Sequence, residues 1–95
     1  MFPEQEIPVT QNTQASRFEI QVEGHLAVLE YQMQGNVMVC THTGVPEALG
    51  GRGLGSKLAR AALEYARQND LKVWPLCSFV AGYIQKHPEY QPLVK

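Results

Sequence analysis

The chain has 95 residues, 44% of them hydrophobic, with a formal net charge of −1, which is about one small domain burying roughly 60–65% of its unfolded surface. The balanced charge leaves no broad cationic footprint for nucleic acid, and two cysteines are too few for a disulfide framework. The opening MFPEQEIPVTQNTQ is acidic and polar where a secretory signal would be basic and then apolar, and no apolar run approaches the ~20 residues of a membrane span, so a reduced, cytoplasmic domain with no membrane partner is expected.

Residues 1–16 read as a flexible N-terminal arm, rich in Pro, Gln, Thr and Asn and without periodicity, ahead of a single domain over 17–95. Phe18, Ile20 and Val22 alternate with polar neighbours and predict a strand. Glu23-Gly24-His25 is a turn, after which Ala27, Leu29, Tyr31 and Met33 alternate against Val28, Glu30, Gln32 and Gln34. Gly35-Asn36 marks a second hairpin. Residues 37–43 (VMVCTHT) are apolar or small on both faces, as a central strand should be. Three strands joined by tight turns make an antiparallel meander.

The period then changes. Leu54, Leu58, Ala61, Ala62 and Tyr65 mark one face of a helix that Asn69-Asp70 ends, with Arg60 and Glu64 spaced to pair on the other face. Residues 71–76 (LKVWPL) resume as a strand, and the strand–helix–strand unit predicts a right-handed crossover with 37–43 and 71–76 parallel. A last helix spans 78–87, halted by Pro88. The fold class is therefore α/β (α+β), a mixed sheet built from a meander, one βαβ unit and a C-terminal helix.

The segment joining strand to helix, VPEALGGRGLGSK, carries Gly51, Gly53 and Gly55 at alternate positions. The first N–H groups of a helix lack partners and carry the positive end of its dipole. Glycines there let a phosphate approach those donors, each charge-assisted bond being worth about 1.5–3 kcal/mol. A P-loop needs Gly-Lys-Ser/Thr, whereas Gly55 is followed by Ser56-Lys57; a Rossmann loop needs G-x-G-x-x-G after the first strand, whereas this is G-x-G-x-G after the third. A turn that merely lets the chain bend is the alternative.

Val45-Pro46, then GGRGLG and an amphipathic helix, followed by PLCSF and HPEYQPLV, resemble the GNAT superfamily of N-acetyltransferases, and within it the short YjdJ-type branch. The superfamily's Arg/Gln-x-x-Gly-x-Gly/Ala loop lands on Gly50 to Gly55; Gly53 and Gly55 match, while Gly50 stands where Arg or Gln is usual and Arg52 lies inside the loop. The resemblance implies a minimal GNAT fold that binds acetyl-CoA. Backbone groups of Thr43, Gly44 and Val45 would serve the pantetheine arm where two strands splay. Gly50, Gly51, Arg52, Gly53, Leu54, Gly55, Ser56 and Lys57 would hold the phosphates. Pro75, unable to donate to a continuing ladder, suits the splay or simply a strand end. No metal site is implied.

Three side chains are candidates for chemistry. Cys77, directly before the last helix, is placed to have a lowered thiol pKa; it would accept acetyl or protonate the departing thiolate, or else be a small buried residue. His42, expected on one strand face with Met38 and Cys40, is a base or a satisfied core histidine. Tyr83 is an acid for the leaving thiolate or core packing. Cys40 reads as core, and Trp74 and Tyr31 as core or groove wall. The function expected is transfer of acetyl to a primary amine of a protein, peptide or small molecule, by direct attack in a ternary complex. The alternative is a non-catalytic CoA-binding or protein-interaction module. Only Glu23-Gly24-His25 joins the first two predicted strands, where larger acetyltransferases usually carry helices, so an open acceptor site is expected.

Overall fold

The computed structural model describes residues 7–95. Five strands form one sheet in sequence order: β1 (Thr10–Asn12), β2 (Arg17–Val22), β3 (His25–Gln34), β4 (Val37–Gly44) and β5 (Lys72–Pro75). β1 to β4 are antiparallel neighbours, and β5 lies parallel to β4. A 3-10 turn, Glu47–Leu49, precedes helix α1 (Leu54–Gln68), and α2 (Ser78–Lys86) follows β5. Residues 88–93 form a further 3-10 stretch, and Lys95 N–H then donates to the Val73 carbonyl at 2.9 Å, tying the chain end to β5. The meander, the crossover and the C-terminal helix all stand where periodicity placed them.

The segment expected as an arm contributes more than a lead-in. Its residues 1–6 lie outside the described residues, but Thr10–Asn12 pairs with β2 as an edge strand. Three residues are too few for an alternation to be visible in sequence; side-chain bonds from Asn12 to Glu19 and from Gln11 to the Tyr31 hydroxyl add to the pairing.

The core lies on one face of the sheet. Phe18, Ile20, Ala27, Leu29, Tyr31, Met38, Cys40 and Val73 meet Leu58, Ala62, Leu63 and Ala66 of α1 and Val80 and Ile84 of α2 in one buried cluster. The α1 stripe follows the 3.6-residue spacing. Its end is a Schellman motif: Asp70 takes φ +56°, and Leu71 N–H donates to the Ala66 carbonyl at 2.9 Å. Glu64 forms its close ion pair with Arg67 rather than with Arg60, and accepts a hydrogen bond from the Tyr90 hydroxyl at 2.7 Å. The opposite sheet face, bearing Val28, Glu30, Val39 and Trp74, is not part of that cluster.

Candidate functional site

β4 and β5 pair only from Val37↔Lys72 to Cys40↔Pro75. Pro75 has no N–H to extend the ladder, and Cys77 N–H closes the junction on the Cys40 carbonyl at 2.9 Å. Beyond it β4 continues to Gly44 with β3 alone as its partner, so a fork opens between residues 41–44 and the start of α2.

A β-bulge decides which side chains enter this fork. The register of β3 against β4 shifts between Glu30 and Tyr31: Tyr31 opposes Cys40, but Glu30 opposes His42, leaving Thr41 as the extra residue. Directly opposed residues share a face, so Thr43, opposite buried Leu29, turns to the core side and His42 turns to the other. His42 therefore does not share a face with Met38 and Cys40. It is exposed, and its ring leans over Gly44, where an added Cβ would lie 3.0 Å from Nε2.

Thr43 instead meets Cys77 across the fork, with Cys77 Sγ hydrogen-bonded to Thr43 Oγ1 at 3.4 Å. Partial burial pushes the Cys77 thiol up, but the Thr43 hydroxyl and the backbone N–H groups of Val80, Phe79 and Thr43 favour the thiolate, and the balance falls below the ordinary value. Two of those donors belong to the first turn of α2, for which Cys77 is the N-cap. Cys40 behaves oppositely: it is fully buried, and desolvation, with the neighbouring Cys77 charge, raises its thiol to about 12. Trp74 is 47% exposed on the outer face, whereas Tyr31 is core.

The loop after β4 forms a cradle. Gly50 closes the 3-10 turn through an N–H bond to the Glu47 carbonyl at 3.0 Å. Gly51 and Gly53 take φ +79° and +74°, which a side chain disfavours, and nothing lies within 4 Å of where their Cβ atoms would be. The α1 ladder begins with Lys57 N–H on the Gly53 carbonyl at 3.1 Å, so the N–H groups of Leu54, Gly55 and Ser56 precede it. An open groove of about 250 Å³ lies against Val45, the glycines and Phe79. Leu54 and Gly55 are buried, and a Cβ on Gly55 would come within 2.8 Å of the Phe79 ring. Arg52 reaches out of the loop to Glu23 of the β2–β3 turn, Nη1 to Oε1 at 3.4 Å.

Residues 17–93 match the GCN5-related N-acetyl-transferase family. The chain belongs to that family. A GCN5-like protein from Staphylococcus aureus, solved in solution by NMR, superposes with a TM-score of 0.73 at 35% identity, covering 94% of this chain and 88% of that one. Protein NATD1 of Mus musculus is 35% identical over 85 residues, 86% of this chain and 77% of its own length. The Homo sapiens protein of the same name is 34% identical over 85 residues, with 86% and 75% covered. The α+β fold, one mixed sheet with its helices, is that of an N-acetyltransferase of the GCN5-related type.

Within this GCN5-related frame the candidates fall into three places. Thr43, Cys77 and the cradle line the fork. His42 stands on the far side of β4. Tyr83 lies six residues beyond Cys77 on α2, about 9 Å along the axis, its ring stacked on His87 with centroids 3.9 Å apart. Burial, reinforced by Glu89 and Glu64 and opposed by Arg60, raises the Tyr83 phenol, which keeps it protonated. Sequence reasoning named Tyr83 and Ser56 but missed Phe79, Gly82, Lys86 and His87, which border a second groove with them. The spacing 79, 82/83, 86 on a helix was the signal for it.

Proposed function

We propose that this family member binds acetyl-CoA and transfers the acetyl group to a primary amine. The observation that carries the reading is the juxtaposition of a glycine cradle, open over Gly51 and Gly53, at the start of α1 with a forked sheet holding Cys77 and Thr43. The cradle fits a pyrophosphate: positive-φ glycines leave open space over N–H groups that precede the helix ladder. Backbone groups of 43–45 along the unpaired edge of β4 suit the amides of a pantetheine arm. When bound, acetyl-CoA supplies an activated thioester carbonyl.

This chain's residues then have three tasks. An acceptor amine near the ordinary lysine pKa of ~10.4 is only about 0.1% free at pH 7.4, a cost of about 4 kcal/mol unless a base takes the proton. His42, on the outward side of β4 beside the fork, takes it. The nitrogen attacks the carbonyl directly, the C–S bond breaks, and Cys77 gives its proton to the departing sulfur. Thr43 and the first N–H groups of α2 hold the Cys77 thiolate left behind, as their effect on the thiol supports. The acceptor approaches through the outer face, since α1 and α2 pack on the other and only a short turn joins β2 to β3. A protein or peptide amine suits that openness.

Mass spectrometry of the protein and an amine panel after incubation with acetyl-CoA tests the reading. An amide product that needs His42 supports it. Binding of CoA without any product selects a second reading, a CoA-binding module, which the missing Arg/Gln at Gly50 and the tie of Arg52 to Glu23 favour.

A further inference from the structure

The chain's two cysteines, both free thiols, meet where β4 and β5 part. Cys77 N–H donates to the Cys40 carbonyl at 2.9 Å. With the covalent bonds on either side of that hydrogen bond, the two Cα atoms lie no more than about 6.8 Å apart, within the span of roughly 4.4–6.8 Å that a disulfide bridges. Both side chains lie on the core side of the sheet. Cys40 is a fully buried member of the core cluster, and Cys77 packs against that cluster while bonded to Thr43, which turns the same way. The charge of Cys77 also acts on the Cys40 thiol, as two neighbouring sulfurs require.

The two thiols differ in the ways that divide labour in an oxidation. Cys77 is half-buried at the fork, where the Thr43 hydroxyl and the first N–H groups of α2 favour its thiolate. A thiolate open to solvent is the form a peroxide oxidises, and a second thiol beside it resolves the product. Cys40 has no exposed surface and keeps its proton, so it does not react first. Proton donation in the fork uses Cys77 alone, and the core needs only a small apolar side chain at position 40. Neither accounts for a second sulfur at this place.

We propose that Cys77 and Cys40 are an oxidation site that closes to a reversible intramolecular disulfide when the protein meets hydrogen peroxide. The Cys77 thiolate attacks one peroxide oxygen, the O–O bond breaks, hydroxide leaves, and Cys77 becomes a sulfenic acid. That acid is uncharged, so the Cys77 charge that helps hold the Cys40 proton is gone. The Cys40 sulfur then attacks the Cys77 sulfur, the S–O bond breaks, and the departing hydroxide takes the Cys40 proton as water. The two sulfurs lose two electrons in all, and the peroxide gains them. Closure turns the Cys77 sulfur from Thr43 to Cys40 and leaves the fork without a thiol. The bridge does not depend on acetyl-CoA; where the reaction proposed above holds, the bridge also withdraws its proton donor.

The test treats the reduced full chain with hydrogen peroxide, at a dose that oxidises free cysteine added as a control. Iodoacetamide in denaturant then caps any remaining thiol, and peptides are mapped without reduction. The wild-type protein should lose two hydrogens in mass, take no alkyl label, and yield residues 40 and 77 in one cross-linked pair of peptides. Dithiothreitol should restore both thiols. Cys40→Ala, its fold checked by thermal melting, cannot close the bridge. Its Cys77 should stop at a sulfenic acid that dimedone traps, and further peroxide should carry it to a sulfinic acid that dithiothreitol does not reverse. Wild-type protein whose Cys77 is oxidised while Cys40 still takes the label would overturn the proposal. So would a bridge between two copies, seen as a dimer on non-reducing electrophoresis, or two thiols left free by the peroxide. The wild-type map decides the matter even where Cys40→Ala does not fold.

Discussion

Gly53→Ala separates the cradle's role in folding from its role in binding. At φ +74° an added Cβ meets nothing within 4 Å, so its cost is backbone strain alone, about 1–2 kcal/mol for an L-residue in the left-handed region. In a domain of this size that lowers the melting temperature by about 4–15 °C. Gly35→Ala supplies the control: Gly35 also has positive φ, +61°, and open space around it, but it sits in the β3–β4 turn away from the fork. Both variants should melt lower by similar amounts. Only Gly53→Ala puts a methyl group where the proposed pyrophosphate would approach the N–H groups of Leu54 to Ser56. Losing one such charge-assisted bond removes about 1.5–3 kcal/mol, so CoA affinity falls about 10- to 150-fold. Calorimetry at a temperature where both variants are folded reads the difference. Equal CoA affinities in the two variants would refute the placement of the pyrophosphate, whatever the melts show.

Three further expectations follow from the fork and its supports. Thr43→Val removes a hydroxyl that favours the Cys77 thiolate, so the thiol pKa rises and alkylation by iodoacetamide at neutral pH slows; peptide mapping should find the label on Cys77 and not on buried Cys40. His42→Gln should lower kcat/KM for the amine and flatten its pH profile near neutrality while leaving CoA affinity alone; a retained rate and profile would assign the proton to solvent or another group. Tyr90→Phe deletes the hydrogen bond to Glu64, whose carboxyl is held below its ordinary value first by Arg67 and then by Tyr90. A depressed folded-state pKa adds stability above the unfolded value of about 4.3–4.5 that is lost as pH falls through the folded value. Tyr90→Phe should therefore melt below wild type at pH 7, and the gap should close with acidification through that range.

Much of the architecture was legible because it obeys regular periods. The α1 boundaries at Leu54 and Asn69, the parallel pairing of β5 with β4 and the helix after Cys77 all follow from a period of 3.6 giving way to 2 and back. The bulge at Thr41 was not legible. Strict alternation carries His42 onto the face of Cys40, and a single inserted residue reverses both His42 and Thr43, yet nothing in VMVCTHT distinguishes seven in-register residues from a bulged strand. The approach of Cys77 to Thr43 depends on that reversal and was hidden with it. β1 was missed because a three-residue edge strand has too little pattern, and the Arg52–Glu23 pair because it joins a loop to a distant turn. The groove along α2 left a trace in Gly82, a helix-interior glycine that only the structure connects to open space.

The sequential strand order has a consequence for how the protein comes to be active. Each of β1 to β4 pairs with its neighbour in the chain through short hairpins, contacts that close early at little entropic expense. The β4–β5 junction is the exception: it forms only after about thirty residues, including all of α1, have been looped across the sheet. The fork, the cradle and the Cys77–Thr43 contact all sit at that one late seam. A partly assembled molecule can thus hold an intact meander and still lack the fork and cradle proposed to take CoA, so on that reading the recovery of ligand binding during refolding should trail the recovery of strand structure.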